Sequence, residues 1–329
     1  MKQLSGGFMT CSPRPARSLE NEEEFMKKQW LSIMIAVFFA CCALVQSQSV
    51  PNALQLFDQN PPRNAGGGMN YHGGPVFETE PSVYIVWYGD WTAKDRGIID
   101  YYFAHLGGST QNEINSTYSD SRNKFVPNKV KHSAQNDYHD DYSLGKSLSG
   151  DGEIQQIVAN AISGGHLPGD SNGVYFVLTY TDVTDPGFCS QFCGYHAPST
   201  SIVSGKIIKY AMVGNPDQCK SSCETSYILG DKGSPNHDPG ADGTTAIMWD
   251  EFSDTMSDPE VGVDTAWEGN FCGEASQCCA WLFGKVKKDS HGHFYTNVIG
   301  GKEYAMQEML QLLSKSRHGN VPAACKNVF

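Results

Sequence analysis

The sequence predicts an α/β fold, a mixed and partly parallel sheet flanked by helices, with a disulfide-rich C-terminal half. Three observations carry this reading. Two strongly apolar runs, "SVYIVWYGDW" and "GVYFVLTYTDV", are dense in β-branched and aromatic residues and bounded by Gly and Asp. Helical patterns alternate with these runs, the texture of strands joined by crossover helices. All eight cysteines beyond residue 47 follow Phe188.

The elements follow in order. Residues 48–70, with "QNPPRNAGGGMN", read as a mobile arm. After the first strand, "AKDRGIIDYYFAHLGG" reads as an amphipathic helix ending at Gly107. "NKVKHSAQNDYHDDYSLGK" supplies a strand and a loop. "GEIQQIVANAISGG" places Ile154, Ile157, Val158 and Ile162 at helical spacing. Beyond Phe188, Cys, Gly and Pro dominate, broken by a strand near "GKIIKYAMVG". A loop, "GDKGSPNHDPGADG", then leads into an acidic helix, "MWDEFSDTMSDP". No internal repeat and no long linker interrupts residues 71–329, so they read as one domain.

The start of the chain has its own logic. From Met26, Lys27 and Lys28 form a basic segment, and Trp30–Val45 is uncharged and mainly apolar. Val45 and Ser47 suit the small-residue cleavage positions of a secretory signal, so residues 26–47 read as a signal peptide. Sixteen apolar residues fall short of the roughly 20 that a spanning helix needs, so the chain is not expected to be an integral membrane protein once the leader is cleaved. Residues 1–25 read as an upstream extension from a mis-assigned start codon. The formal charge is -12, and the first 47 residues carry five basic and four acidic side chains, leaving -13 beyond them. That balance excludes nucleic acid, which demands a basic surface to displace counterions.

Of eleven cysteines, Cys11, Cys41 and Cys42 precede residue 48. The remaining eight, in an exported chain, read as disulfides rather than as a zinc site built from the two C-x3-C pairs. An oxidised, even-numbered set leaves no catalytic thiol. Asn115-Ser116-Thr117 is an N-glycosylation sequon. No P-loop, dinucleotide fingerprint or G-x-S-x-G elbow is present.

Several strings in order carry a resemblance: "YHGGPV", "VYIVWYGDW", "DYSLGKSL", "LPGDSNGVYFVLTYTDV", "FCSQFCGYH", "VGNPDQCKSSC", "GADG", "EASQCCAWLFG", "FYTNVIGGKEYAMQEML" and "AACKN". The chain resembles the EXORDIUM or phosphate-induced protein family from about Tyr71 to Cys325. That family is best known from plants, as secreted cell-wall and apoplast proteins linked to growth. The resemblance implies a bond between Cys279 and Cys325, whose counterparts recur in the family. It leaves Cys272 and Cys278 as extra cysteines that would pair with each other. Cys189, Cys193, Cys219 and Cys223 then pair among themselves in an order the sequence leaves open.

The acidic helix raises the question of chemistry. Asp250, Glu251, Asp254 and Asp258 fall within nine positions. Some bacterial proteins of distant resemblance carry "HExxEAxTDP" followed by a tryptophan, a zinc-peptidase type of pattern with Glu as general base. Laid on this chain, the histidine falls at Asp250, the first Glu at Glu251 and the second at Asp254, with Asp258-Pro259 and Trp267 also corresponding. The ligand histidine is therefore absent, and an all-carboxylate set suits calcium better than zinc. At a hundred degrees per residue Trp249, Phe252 and Met256 share one face and the acids lie opposite, which favours an amphipathic surface helix with solvated acids.

The sequence thus points to a secreted, non-enzymatic protein of the cell wall or extracellular matrix, acting in growth or surface interactions with a cell-wall polysaccharide or extracellular protein. The first rival is a metal-dependent hydrolase of zincin type, or a degenerate descendant. There Glu251 is the general base, Asp250, Asp254, His196 and His237 are candidate ligands, and zinc or calcium is the metal. His237, with Asp238 and Asp242, could equally belong to an ordinary turn and helix cap. His291 and His293, in "HGH", read as exposed and incidental. A second rival is a carbohydrate-binding module using Trp87, Trp91 and Trp267, although such tryptophans are more often core.

Overall fold

The computed structural model describes residues 68–314, apart from 231, 270 and 271, and residues 320–326. The readings of residues 1–25, of the signal peptide at 26–47 and of the arm up to residue 67 lie outside the described residues. The end of that arm is not mobile chain. Met69–Tyr71 forms strand β1, and Met69 is fully buried.

In chain order the main elements are β2 (Ser82–Tyr88), α1 (Ala93–Leu106), β3 (Asp137–Asp140), α2 (Asp151–Ser163), β4 (Gly173–Thr179), β5 (Gly194–Ser199), β6 (Ile208–Gly214) and α3 (Pro239–Ser257). Five strands make one sheet in the order β3-β2-β4-β6-β5. The first three pairings are parallel, and β5 closes the edge antiparallel to β6. β4 is buried at all seven positions, as expected of a central strand covered on both faces. β5 escapes sequence reading because "GYHAPS" mixes Gly, His and Pro. Its proline is tolerated because an edge strand has one unpaired side.

Strand alternation sorts the helices into two layers. Tyr84, Tyr175 and Tyr210 lie across the sheet in register, and the Tyr210 hydroxyl donates to Asp151 of α2 at 2.5 Å. On the other face Phe176 of β4 meets Phe103 of α1 at 5.8 Å between ring centroids, and Phe103 meets Phe252 of α3 at 5.8 Å. α2 therefore covers one face, and α1 and α3 cover the other. α1 opens with a reciprocal cap between Thr92 and Asp95 and stops at Gly107. α3 opens with Asp238 accepting from the Ala241 amide and Pro239 in its first turn.

The C-terminal half adds small antiparallel sheets. β1 lies between β7 (Trp267–Gly269) and a strand at Asn320–Val321, and Met309–Leu312 pairs with Ala323–Lys326. Four disulfides staple it: Cys189–Cys219, Cys193–Cys223, Cys272–Cys278 and Cys279–Cys325. The two C-x3-C pairs join first to first and second to second, an order the spacing alone left open. The reading of Trp87, Trp91 and Trp267 as an exposed sugar platform is corrected. They are 1%, 4% and 0% exposed, and the Trp91 and Trp267 indoles donate to the Leu178 and Ser119 carbonyls. Among the described residues no helix is long and apolar enough to cross a membrane.

Candidate functional site

The solvated-face reading of the acidic helix is overturned. α3 is buried along most of its nineteen residues, and its acidic side packs on β5 and on the 274–276 loop instead of facing water. Asp254 and Asp258 are 2% and 1% exposed. The close approach to β5 depends on Gly194, where a Cβ would stand 2.8 Å from Ile247 Cγ2 and 3.0 Å from Glu251 Oε1. A helical wheel reports which residues share a face but not what that face meets.

What it meets is His196. This side chain projects from β5, 2% exposed, and both ring nitrogens face acids. Nδ1 lies 3.5 Å from Glu251 Oε2, and Nε2 lies 3.3 Å from Glu274 Oε1 and 3.3 Å from the Asp258 carbonyl. Burial alone would depress the imidazole pKa. The hydrogen bond to Glu251 and the charges of Glu274, Glu251 and Asp254 instead raise it to about 10. The acids on both sides of the ring favour its charged form.

The remaining acids are partnered unevenly: Asp250 Oδ1, Asp258 Oδ2 and Glu274 Oε1 are buried without a hydrogen-bond partner. Asp254 accepts from the Ser276 amide at 2.8 Å and the Ser276 hydroxyl at 2.5 Å. Burial pushes the Asp254 and Glu274 carboxyls up, partly offset by the His196 charge. Asp250 is pushed well above the carboxylate range by burial and by the charges of Glu251 and Asp254, with the Gln307 side chain as partner. Asp258, raised to about 6 mainly by burial, caps the Ala266 amide at 2.9 Å. Glu274 and Ser276 were not visible as site residues, because "GEASQCC" has no spacing relation to α3. His196, Glu251 and Asp254 do come together as candidates.

Comparison with known proteins places this cluster in context. The family model described as "Phosphate-induced protein 1 conserved region" matches residues 69–311, which include β5, α3 and Glu274. The chain belongs to the phosphate-induced protein 1 family. Relatives include "Protein EXORDIUM-like 5" from Arabidopsis thaliana, 28% identical over 73% of this chain and 74% of that protein. "Protein PHOSPHATE-INDUCED 1" from Nicotiana tabacum is 28% identical over 66% of this chain and 73% of its own length. "Protein EXORDIUM-like 1" from Arabidopsis thaliana is 27% identical over 72% and 85%. No solved structure matches.

In this phosphate-induced protein family member, two other candidates part from the acid cluster. His237 precedes α3, whose first residue, Pro239, is eleven residues or about 16 Å along the helix from Asp250 at 1.5 Å per residue, so it is no ligand there. Asp242 is absorbed by a turn: its oxygens accept from the Ser234 hydroxyl, the Asn236 amide and the Asn236 side chain at 2.6–3.0 Å. The glycosylation reading of Asn115 is also corrected. Asn115 is 1% exposed, and its Nδ2 donates to Asn112 Oδ1 at 3.2 Å and Ser253 Oγ at 3.4 Å. A glycan on that nitrogen has no space in the folded chain. Treatment of the secreted protein with an N-glycosidase should leave its mass unchanged, and a glycan-sized loss would contradict this packing.

A second buried histidine, His132, shows the same device at the sheet edge. Its Nε2 lies 3.1 Å from Asp100 of α1 and 3.9 Å from Asp137 at the start of β3, and its side chain is fully buried. Such a pair ties a helix to a strand.

Proposed function

We propose that this phosphate-induced protein family member is secreted and acts outside the cell without catalysis, through surface interactions that bear on growth, with a wall polysaccharide or extracellular protein as partner. The observation that supports the reading best is the burial of His196 against Glu251 at 3.5 Å and Glu274 at 3.3 Å, which engages both acids inside the fold. Glu251 faces the buried His196 ring at 3.5 Å, so its carboxylate has its partner within the fold. The four disulfides add support, since such bonds persist in oxidising compartments.

The test uses the protein recovered from the medium of expressing cells. Its first residue should be Gln48, read by N-terminal sequencing. Glu251→Gln and Asp254→Asn variants should retain the metal content of the parent, and no peptidase activity should separate parent from variants. Metal lost in Asp254→Asn together with a hydrolytic activity lost in Glu251→Gln would establish the hydrolase reading instead.

A further inference from the structure

We infer that His237, Asp289 and His291 form a surface binding site for a first-row divalent transition-metal ion, zinc being the natural probe, with His293 positioning the carboxylate. Two chain segments distant in sequence build it. One is the turn between Lys287–Lys288 and Phe294–Tyr295, which carries Asp289, His291 and His293. The other is the loop leading into α3, which carries His237. One potential ligand atom from each of His237, Asp289 and His291 lies within 4.8 Å of the others. The His237 ring centroid lies 5.4 Å from that of His291 and 4.4 Å from that of His293.

The site is built rather than accidental in its geometry. The Asp289 side chain is 6% exposed. One of its oxygens accepts the amides of His291 and His293 at 2.7 and 2.8 Å, which fixes the carboxylate inside the turn. The other oxygen faces His293 Nδ1 at 3.2 Å and His291 Nδ1 at 3.9 Å. Gly292 at φ 90° lets the turn close with three functional side chains on it. The opposite loop is equally fixed. His237 holds a left-handed φ of 53°, its carbonyl accepts from Lys94 at 2.6 Å, and the Phe294 amide donates to the Lys232 carbonyl at 2.5 Å, binding loop to turn.

Imidazole and carboxylate donors suit zinc or copper, and ligand bonds of about 2.0–2.2 Å place tetrahedral donors roughly 3.4 Å apart. Closing from 4.8 Å asks for side-chain adjustment, and the His291 side chain is 68% exposed, with its Nδ1 3.3 Å from the Ser290 hydroxyl. His293, hydrogen-bonded to the ligating carboxylate, then orients that ligand from behind. Three protein ligands leave a fourth position for water or an external donor. The sequence hides the site because "HGH" and "NHDPG" each look like ordinary turns, and only the fold brings them together.

The experiment is titration calorimetry of zinc chloride into chelator-treated, full secreted protein carrying no affinity tag, at pH 7.5. One zinc per chain is expected. His291→Ala and His237→Ala, both exposed and harmless to folding, should each weaken binding at least tenfold, and His293→Ala about tenfold through loss of carboxylate orientation. Asp254→Asn should bind as the parent does. Absence of saturable binding, or parental affinity in both His291→Ala and His237→Ala, overturns the site. Zinc lost only in Asp254→Asn would also overturn it and move the metal to α3.

Discussion

Replacing His196 with Ala should lower stability by on the order of 3–5 kcal/mol, the cost of stranding buried charge after its partner is removed. For a domain of this size that is a fall in melting temperature of about 10 °C by calorimetry. The loss follows from the surroundings: the His196 side chain is 2% exposed between Glu251 at 3.5 Å and Glu274 at 3.3 Å, so its removal leaves a cavity and buried acids without their partner. Adding Glu251→Gln to His196→Ala should recover part of the loss, because one carboxylate then no longer needs a counter-charge. A melting temperature unchanged by His196→Ala would show that the cluster carries no net charge interaction.

The same cluster sets a pH dependence with a defined sign. His196 is raised from 6.5 to about 10, so the stability it provides is complete below about pH 6.5 and is lost as pH rises through about 10. Asp250, Asp254 and Glu274 are raised too, and the folded chain holds their protons more tightly than the unfolded chain does. Their contribution also fades as pH rises. Asp120 and Asp182 are lowered, so their contribution is constant above about pH 4 and is lost only as pH falls below it, outside this window. The melting temperature should therefore fall steadily from pH 6.5 to 10, and a flat or rising profile would contradict the protonated His196.

The second large effect concerns the disulfides. Replacing Cys279 and Cys325 together with Ser opens a loop with a sequence separation of 46, worth about 4 kcal/mol of unfolded-state entropy. Replacing Cys272 and Cys278 opens a separation of only 6, worth about 2 kcal/mol. Cys279 and Cys325 also sit at 0% and 2% exposure and join a turn to the strand Ala323–Lys326, so the first pair should further loosen the sheet that Met309–Leu312 forms with that strand. Chemical denaturation of the two double variants should rank them in that order. Equal losses would mean that loop length is not what these bonds contribute.

What could be read in the sequence follows from periodicity and local chemistry. β2 and β4 are visible because a sheet covered on both faces demands uninterrupted apolar runs, α1 because its cap is local and α2 because its apolar spacing is. Family membership was legible for a similar reason, since strings in a fixed order survive without any knowledge of contacts. β5 was not legible, because an edge strand tolerates Gly and Pro and its His serves a partner elsewhere in the chain.

By itself the sequence determined an α/β core, a stapled C-terminal half and a row of acids on one side of a helix. Only the tertiary structure decided what those acids face. A carboxylate's environment is set by whatever packs against it, and here that is His196 from β5 and Ser276 from a loop beyond β7. The same holds for His237, Asp289 and His291, which have no spacing relation along the chain and acquire one when two turns fold together. Side-chain identity is local, but burial, pairing and charge state are properties of neighbours that the linear order does not name.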